Sequence, residues 1–580
     1  MKSILKLLLT HPGRFAELLG ATFFIHLLGL SGTLFVILVF NNYLPYGVNA
    51  TLVTLAIGAI IASLAEAAFR SVRQRLSADL FAPSLSRIAK GVYGSLTGAR
   101  LTALNGLTPA RRHEALRGLD TLEQLASPAT VGALLDAPFA LIALVALFMI
   151  DPWLCLIALI ALVLAWLTIA AGRPRLRRLA REVAEHDAGA RALATTAIEQ
   201  PDTVRVFNAQ TRLGAAWEQV RGRWLQARST SAAAAAGSQT LTGTLSAWQG
   251  TAIIGVGALS ATTGDLSTGA LIGANILAAR TLAPMLRLAS LAELFARADL
   301  AEQQLTELLK LPHEAESGSE LREYGGGLEL ADMAFAYPGM AMPLFEHLSV
   351  RLTSGMALGV IGSNGSGKTT LARLICGLVE SSRGQVLVDG TDLRQMNPAW
   401  WRRQVSYLPQ EPAFIDATVL DNLRMANPDL DDERLNAIVR TAGLRTWLDN
   451  TPQGLDTPLR EGGRTLAVGV RKRLALARAL ATNGRLAVFD EPTDALDDEG
   501  RLALYAVLNT LRAHGSTLVV LTHDPHILRG VDWVLDLRVK PVPRLYPVTQ
   551  SATFTPGDAS FPPVEQNDND EDGEDASTHP

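Results

Sequence analysis

The sequence predicts a multidomain protein in which an all-α domain with six transmembrane helices precedes an α/β domain with a phosphate-binding loop (P-loop). Three observations support this prediction. Long apolar segments are confined to the first half of the chain, a G-x-x-x-x-G-K-T motif lies at 362–369, and short apolar strands alternate with amphipathic helices in the second half. With 580 residues, the chain is also too long for a single hydrophobic core.

Composition divides the chain into five segments. Residues 1–17 carry basic side chains among leucines, which predicts an amphipathic helix on the membrane surface. We expect a transmembrane domain at 18–310, with six spans and long cytosolic helical extensions. A linker rich in Gly, Ser and Glu at 311–327 leads to the α/β domain at 328–545. The tail at 546–580 is acidic and poor in aromatic residues, so we expect it to be disordered.

Six segments are apolar enough to predict membrane spans. The first, 18–40, has His26 as its only ionisable side chain and is long enough to cross about 30 Å of hydrocarbon. The other five predicted spans are 50–68, 129–150, 153–171, 232–261 and 268–296. The last two contain several polar side chains and are the least apolar of the six.

The connections between these spans differ in charge. Those at 41–49, 151–152 and 262–267 are short and lack lysine and arginine, whereas 70–117 and 173–228 are long and rich in arginine. By the positive-inside rule, the long connections and both termini face the cytoplasm. The net charge of −4, without a separate basic domain, argues against nucleic acid as a partner.

Four of the ionisable residues within or near the predicted spans are candidates for a functional or structural role. Intramembrane charges are costly, so they line an aqueous path or have partners inside the protein. Both roles, substrate contact and internal pairing, stay open for Glu66, Asp136 and Arg280. For His26 we expect an interior hydrogen bond.

The P-loop motif lies between a predicted strand and a predicted helix, as a phosphate-binding loop requires. An apolar strand at 358–361 runs into it and a helix-like pattern follows. The glycines let backbone N–H groups turn toward a phosphate, Lys368 supplies a fixed positive charge, and the Thr369 hydroxyl can bind Mg2+. The predicted nucleotide-binding residues of this loop are Gly362, Ser363, Asn364, Gly365, Ser366, Gly367, Lys368, Thr369 and Thr370.

Polar side chains at the ends of other strands extend this nucleotide site. Asp490 and Glu491 follow a buried strand, which places one carboxylate where it can hold Mg2+ and the other where it can polarise the attacking water. His523 ends another strand and can contact the γ-phosphate, and Gln410 is placed to meet Mg2+. Tyr337 offers a ring on which adenine can stack.

These motifs resemble, in this order, the nucleotide-binding domain of ATP-binding-cassette (ABC) transporters. Further support comes from an R-x-R-L-A-L-A-R-A-L helix at 471–480, D-E-P-T at 490–493 and A-L-D at 495–497. Six spans followed by this domain resemble an exporter-type half-transporter. The resemblance implies ATP and Mg2+ as cofactors, ATP hydrolysis coupled to transport, and a dimer that holds two ATP molecules.

The resemblance also implies a role for each motif residue. It makes Lys368 and Thr369 contacts of phosphate and Mg2+, Asp490 and Gln410 contacts of Mg2+, Glu491 the general base, Gln410 and His523 sensors of the γ-phosphate, and Asp497 part of the loop that crosses the dimer.

A narrower resemblance suggests the cargo. Segments that begin at Gly118, Gly273 and Asp392 are similar to the type I secretion ATPases of Gram-negative bacteria that export proteases and adhesins. This similarity implies a multi-pass protein of the bacterial inner membrane, with a periplasmic adaptor and an outer-membrane channel as partners and an unfolded polypeptide as cargo. No soluble domain precedes the first predicted span, which is typical of the branch without an N-terminal peptidase-like domain.

The signature motif of the family is altered in this chain. Where ABC proteins have Leu-Ser-Gly-Gly-Gln, this sequence has Leu466, Ala467, Val468, Gly469 and Val470. In the family, the motif contacts the γ-phosphate of the ATP that the other subunit holds. Ala467 has no side-chain donor, and a lost hydrogen bond to a charged acceptor is worth about 1.5–3 kcal/mol. A homodimer would carry this defect at both of its sites.

We therefore expect a heterodimer, in which a different half-transporter supplies an intact signature motif to the catalytic residues of this chain. One alternative is a homodimeric exporter of a lipid, a drug or a small peptide. An alternative of another class is an ATP-binding regulatory membrane subunit with little turnover. The complete set of Lys368, Asp490, Glu491 and His523 favours an ATP-hydrolysing exporter over the regulatory subunit.

Overall fold

The computed structural model describes residues 11–337, 339–340, 342–548 and 554. The described residues form two compact units, the first made of 11–99 and 103–313 and the second of 100–102 and the residues from Glu314 onward. The first unit is helical, and the second combines two sheets with helices. The fold class predicted from the sequence is therefore confirmed.

Eleven helices are described before the linker. Their bounds are α1 Pro12–Leu38, α2 Leu44–Tyr46, α3 Asn49–Gly98, α4 Leu101–Asn105, α5 Pro109–Leu125, α6 Pro128–Ile150, α7 Pro152–Glu199, α8 Pro201–Val206, α9 Gln210–Thr262, α10 Thr268–Ser290 and α11 Ala292–Leu309. A π-helical turn at Val39–Tyr43 joins α1 to α2. The Ser127 and Asp151 side chains accept hydrogen bonds from the first backbone N–H groups of α6 and α7. A proline then follows each cap, and both features favour a helix start at these positions.

Within the described residues, five helical segments are long and apolar enough to cross a membrane. These segments are Pro12–Tyr46, α3, α6, α7 and α10. The predicted span at 232–261 lies in α9, which is not among the five because polar side chains such as Gln249 interrupt its apolar sequence. Helices α3, α7 and α9 contain 50, 48 and 53 residues. A span needs only about 20 residues, so these three helices extend well beyond their apolar segments.

Two predicted boundaries in this unit need correction. The predicted span at 268–296 is too long, because the helix breaks at Leu291 and a new helix begins at Ala292. The predicted surface helix does not end at residue 17, because α1 runs without interruption from Pro12. Residues 1–10 lie outside the described residues.

The second unit contains ten strands and eight helices in its described part. The strands are β1 Leu328–Phe335, β2 Phe345–Leu352, β3 Ala357–Ile361, β4 Arg383–Val388, β5 Thr391–Asp392, β6 Val405–Leu408, β7 Leu486–Asp490, β8 Thr517–Leu521, β9 Trp533–Asp536 and β10 Arg544–Pro547. The helices are α12 Lys368–Ile375, α13 Pro398–Arg403, α14 Val419–Arg424, α15 Asp432–Thr441, α16 Arg445–Asp449, α17 Val468–Thr482, α18 Asp498–Ala513 and α19 Pro525–Arg529.

The larger sheet positions the candidate site. Its strand order is β10-β9-β3-β8-β7-β6, and all neighbouring pairs are parallel except β10 with β9. Residues of β3, β7 and β8 are almost fully buried, which explains why these strands read as continuous apolar runs. Because the carboxyl ends of parallel strands meet at one edge, the segments after β3, β6, β7 and β8 lie close together. The smaller sheet is antiparallel, with the order β2-β1-β4-β5.

Both ends of the α/β domain extend beyond the predicted boundaries. In the predicted linker, Tyr324 is 2% exposed and stacks edge-on against Trp401, so this segment packs on the second unit. The predicted tail begins too early at 546, since β10 continues to Pro547 and pairs with β9. Phe554 is 1% exposed, and its backbone N–H and C=O both bond the Asn509 side chain at 3.0 Å. Residues 549–553 and 555–580, on which the prediction of disorder falls, lie outside the described residues.

Candidate functional site

The P-loop connects β3 to α12 and depends on its glycines. Gly365 and Gly367 have φ of +81° and +108°, a region that strongly favours glycine, and Gly367 caps α12. A Cβ on Gly362 would lie 2.2 Å from the Ser366 hydroxyl oxygen and 3.2 Å from Leu537 Cβ, so a larger residue would displace Ser366. The loop therefore leads directly into the N-terminus of α12, and a helix N-terminus preceded by a glycine-rich loop favours a bound phosphate.

Lys368 links three of the predicted site residues. Its Nζ donates a hydrogen bond to the Gly362 carbonyl at 2.6 Å and lies 2.8 Å from His523 Nε2 and 3.2 Å from Glu491 Oε1. His523 Nε2 is 3.4 Å from the same Glu491 oxygen. The Lys368 and Glu491 side chains are 8% and 7% exposed, whereas that of His523 is 55% exposed. Glu491 has φ of +43°, a conformation that is strained for a residue with a side chain and that is frequent at functional sites.

Asp490 and Thr369 form the part of the site that fits a metal ion. The Thr369 hydroxyl donates to Asp490 Oδ2 at 2.7 Å, while Oδ1 of the same carboxylate is buried and has no hydrogen-bond partner among the described residues. Burial raises the pKa of Asp490, and the hydrogen bond from Thr369 and the charges of Lys472 and Lys368 oppose this rise. A hydroxyl beside a buried, unpaired carboxylate oxygen is a suitable set of donors for Mg2+.

Gln410 and Tyr337 lie near the P-loop, but their side chains make no hydrogen bond to Lys368, Asp490 or Glu491 in the described part of the chain. Gln410 follows β6, its side chain is exposed, and its main-chain oxygen accepts a hydrogen bond from Lys472 at 3.1 Å. The Tyr337 hydroxyl lies 3.0 Å from Thr370 Oγ1, which holds the ring beside the P-loop. The stacking of adenine on Tyr337 and the contact of Gln410 with Mg2+ stay predictions.

The altered signature motif is the start of α17. Val468 is the first helical residue and Ala467 is the N-cap, which makes no side-chain hydrogen bond to the helix. Leu466 and Val470 pack against the apolar core, whereas Val468 is exposed. The exposed helix N-terminus therefore lacks the hydroxyl that a serine would provide at the N-cap.

Asp497, the residue predicted in the dimer-crossing loop, has two partners within this chain. It caps α18 by accepting a hydrogen bond from Gly500 N at 2.9 Å, and it pairs with Arg473 at 2.5 Å. The hydrogen bond from Arg473 holds the pKa of Asp497 below its ordinary value. Arg473 also donates to the Gly443 carbonyl, so it joins α17 to the loops on both sides.

The charges near the predicted spans have partners inside the first unit. Asp136 is 3% exposed, and it contacts Arg73 at 2.5 Å, Arg287 at 2.9 Å and His26 at 3.2 Å. The interior hydrogen bond expected for His26 is thus present. These contacts favour internal pairing over substrate contact for Asp136. Arg73 and Arg287 were missed from the sequence, because neither lies near Asp136 along the chain.

Glu66 and Arg280 are less enclosed than Asp136. Glu66 pairs with Arg70 one helical turn away at 2.5 Å. A Cβ on Gly29 would lie 2.5 Å from Arg280 Nη1 and 3.7 Å from Glu66 Oε2, so the small residue leaves room for the guanidinium. Substrate contact by these two residues stays a prediction.

Comparison with known families gives two matches along the chain. The ABC transporter transmembrane region matches residues 114–285, and the ABC transporter model matches 345–494. The second match contains the P-loop, Gln410, the signature segment and the Asp490-Glu491 pair.

Curated relatives are similar over most of their length. The type I secretion system ATP-binding protein PrsD of Rhizobium meliloti is 30% identical over 522 residues, which cover 89% of this chain and 88% of that protein. The alpha-hemolysin translocation ATP-binding protein HlyB of Escherichia coli is 27% identical over 534 residues, covering 90% of this chain and 74% of that protein. A solved bacterial Atm1-family ABC exporter with ATP bound has a TM-score of 0.81 at 18% identity. It covers 92% of this chain and 96% of its own, and it shares the fold.

Proposed function

We infer the function of this chain from its family: it belongs to the ABC transporters, as a half-transporter with a membrane domain fused to a nucleotide-binding domain. It is a multi-pass membrane protein that binds ATP and couples ATP hydrolysis to transport. We propose that it is the inner-membrane component of a type I secretion system and exports an unfolded polypeptide. The names of PrsD and HlyB, which refer to type I secretion and alpha-hemolysin translocation, support this proposal.

The proposed assembly includes a periplasmic adaptor and an outer-membrane channel, with both termini of this chain in the cytoplasm. The arginine-rich connections at 70–117 and 173–228 support this orientation. A polypeptide cargo that crosses two membranes needs a continuous path, which the adaptor and the channel would complete.

One observation carries the hydrolytic mechanism: Lys368 Nζ contacts both Glu491 and His523 at the same strand edge. ATP bound in the P-loop would bring its phosphates to Lys368, because the loop N–H groups and the lysine charge both favour an anion there. Lys368 would then turn from Glu491 to the phosphates. Glu491 would be free to orient the attacking water and accept its proton, while His523 contacts the γ-phosphate.

Mg2+ fits the same site, since the Asp490 carboxylate has an unpaired buried oxygen beside Thr369. Held by Thr369 and Asp490 with Gln410 nearby, the ion would neutralise charge on the phosphate oxygens. The Glu491 carboxylate, which follows Asp490 in a strained turn and lies 3.2 Å from Lys368 Nζ, would be the base.

We further propose that this half-transporter pairs with a different one. Ala467 has no side-chain donor for a partner's ATP, whereas the sequence of this chain contains Lys368, Asp490, Glu491 and His523, and this difference supports the pairing. A partner with an intact signature motif would complete one hydrolytic site on this chain. The second site, covered by Ala467, would turn over slowly, and the partner would not need a catalytic glutamate of its own.

A secretion experiment tests the proposal. The chain is expressed in a bacterial host with a candidate partner half-transporter, an adaptor, an outer-membrane channel and a candidate polypeptide, and the polypeptide is measured in the medium. Export should require the whole set and should stop with Glu491→Gln, which keeps the shape of the side chain but removes the base. General-base catalysis contributes about 10²–10⁴-fold, so the residual export should be near background.

Two results would contradict this proposal, the first its hydrolytic step and the second its polypeptide cargo. Export that persists with Glu491→Gln would separate transport from the proposed base. ATP-dependent movement of a lipid or a drug by the chain alone in proteoliposomes, with no polypeptide export, would instead favour the homodimeric exporter of small molecules.

A further inference from the structure

Lys472 is a buried lysine at the centre of the nucleotide-binding domain. It belongs to α17, one turn after the altered signature motif, and is 3% exposed. Lysine is almost never buried to this extent without a partner for its charge. The group therefore requires a physical explanation.

The Lys472 ammonium joins two strand ends that carry site residues. Its Nζ donates to the main-chain oxygens of Gln410 at 3.1 Å and Pro409 at 3.3 Å, which follow β6. It also lies 3.5 Å from the main-chain oxygen of Asp490, the last residue of β7. One side chain of the signature helix thus contacts the backbone of the Gln410 loop and of the Asp490-Glu491 turn.

Stability alone does not account for a lysine at this position. Burial lowers the pKa of the Lys472 ammonium, and the charges of Asp494, Asp490 and Glu491 oppose this change. In the described part of the chain, its hydrogen-bond partners are main-chain oxygens, which compensate a buried charge only partly. A methionine of similar length would fill the same space without the cost of burying a charge.

We propose that Lys472 is a positioning residue for ATP hydrolysis: it fixes the Gln410 loop relative to Asp490 and Glu491 and ties both to the helix that begins with the signature motif. This inference rests on the proposed roles of Gln410, Asp490 and Glu491. The side chain of Gln410 is exposed, so at this residue the loop is held through its main-chain contact with Lys472. A shift of α17 would move Lys472 and therefore the Gln410 loop.

The test is Lys472→Met in the full-length chain, in the assembly in which the wild type hydrolyses ATP. We expect kcat to fall about tenfold or more, because the loop and the base lose their common anchor. The dissociation constant for a fluorescent ATP analogue should change by less than about twofold, since the hydrogen bonds of Lys472 within the described residues go to Pro409, Gln410 and Asp490 and not to the P-loop. The unfolding temperature should change little, because the hydrogen bonds lost by the main-chain oxygens are offset by the removed cost of burying the ammonium.

Two further variants complete the experiment. Lys472→Arg keeps the charge and several donors, so it should recover part of kcat. Lys310→Met removes an exposed lysine of the first unit and should leave kcat, nucleotide affinity and unfolding temperature unchanged.

Two outcomes would overturn the positioning role. One is a wild-type kcat in Lys472→Met, and the other is a parallel loss of kcat, nucleotide affinity and unfolding temperature, which would indicate a packing role. Glu491→Gln in the same assembly separates this inference from the proposed function. If Glu491→Gln is inactive and Lys472→Met fully active, only the positioning role fails. If Glu491→Gln retains activity, the proposed hydrolytic roles fail and this inference fails with them.

Discussion

Ala467 stands at the N-cap of α17, where a serine would supply a hydroxyl to the first turn of the helix and to a phosphate beyond it. Serine in place of alanine at an N-cap typically stabilises a helix by about 1 kcal/mol. A hydrogen bond from that hydroxyl to the charged phosphate would contribute about 1.5–3 kcal/mol. The second contribution acts on catalysis and not on the fold, so the two can be measured separately.

Ala467→Ser should therefore raise the ATPase rate of this chain purified alone. An increase of about one to two orders of magnitude is expected if the new bond is felt fully in the transition state. Steady-state ATPase assays check this prediction. Ala467→Gly is the matched control, because glycine improves the N-cap nearly as well as serine but brings no hydroxyl. Equal rates for the serine and glycine variants would contradict the role of the hydroxyl.

At the scale of secondary-structure elements, Asp136 connects four helices of the first unit. Its carboxylate on α6 contacts His26 of α1, Arg73 of α3 and Arg287 of α10. The buried carboxylate holds these helices in one arrangement, since losing it leaves the Arg73 charge, whose side chain is 12% exposed, unbalanced in a poorly solvated interior.

Asp136→Asn should lower the stability of the first unit. Breaking a buried ion pair by removing one partner costs about 3–5 kcal/mol, and this cost applies to the pair with Arg73, whereas the pair with the 55% exposed Arg287 adds little. The thermal unfolding midpoint in mild detergent measures the effect. Glu182→Gln is the control, because its pair with Arg178 is exposed on α7 and such pairs contribute about 0–1 kcal/mol. Similar midpoints for the two variants would contradict the structural role of Asp136.

The sequence predicts the residues of the nucleotide site better than it predicts the contacts of Asp136 and Lys472. Residues of the nucleotide site follow parallel strands, so their shared edge could be inferred from the position of each residue at a strand end. The partners of Asp136 depend on how helices distant in sequence pack together, and the contacts of Lys472 depend on how α17 packs against the ends of β6 and β7. Arg73 and Arg287 lie 63 and 151 residues from Asp136, and no local pattern indicates those contacts.

For the whole molecule, the order of a helical membrane unit and a P-loop domain followed directly from hydropathy and the motif at 362–369. Boundaries were less predictable. The break of α10 at Leu291 occurs in an apolar sequence without proline or glycine, and Phe554 is buried by tertiary contacts of a segment whose composition suggests disorder. Packing decides both positions, and composition alone does not describe packing.

The central claim is that ATP is hydrolysed at the Lys368 and Glu491 site of this chain and that a different half-transporter completes it. The most direct test is the steady-state ATPase rate of the chain purified alone and with candidate partner half-transporters, each beside Glu491→Gln. The account predicts negligible activity alone, activity with a partner, and loss of that activity in the Glu491→Gln variant. Rapid turnover by the chain alone that depends on Glu491 would contradict the heterodimer and would make residues 466–470 a working signature motif of a homodimeric exporter.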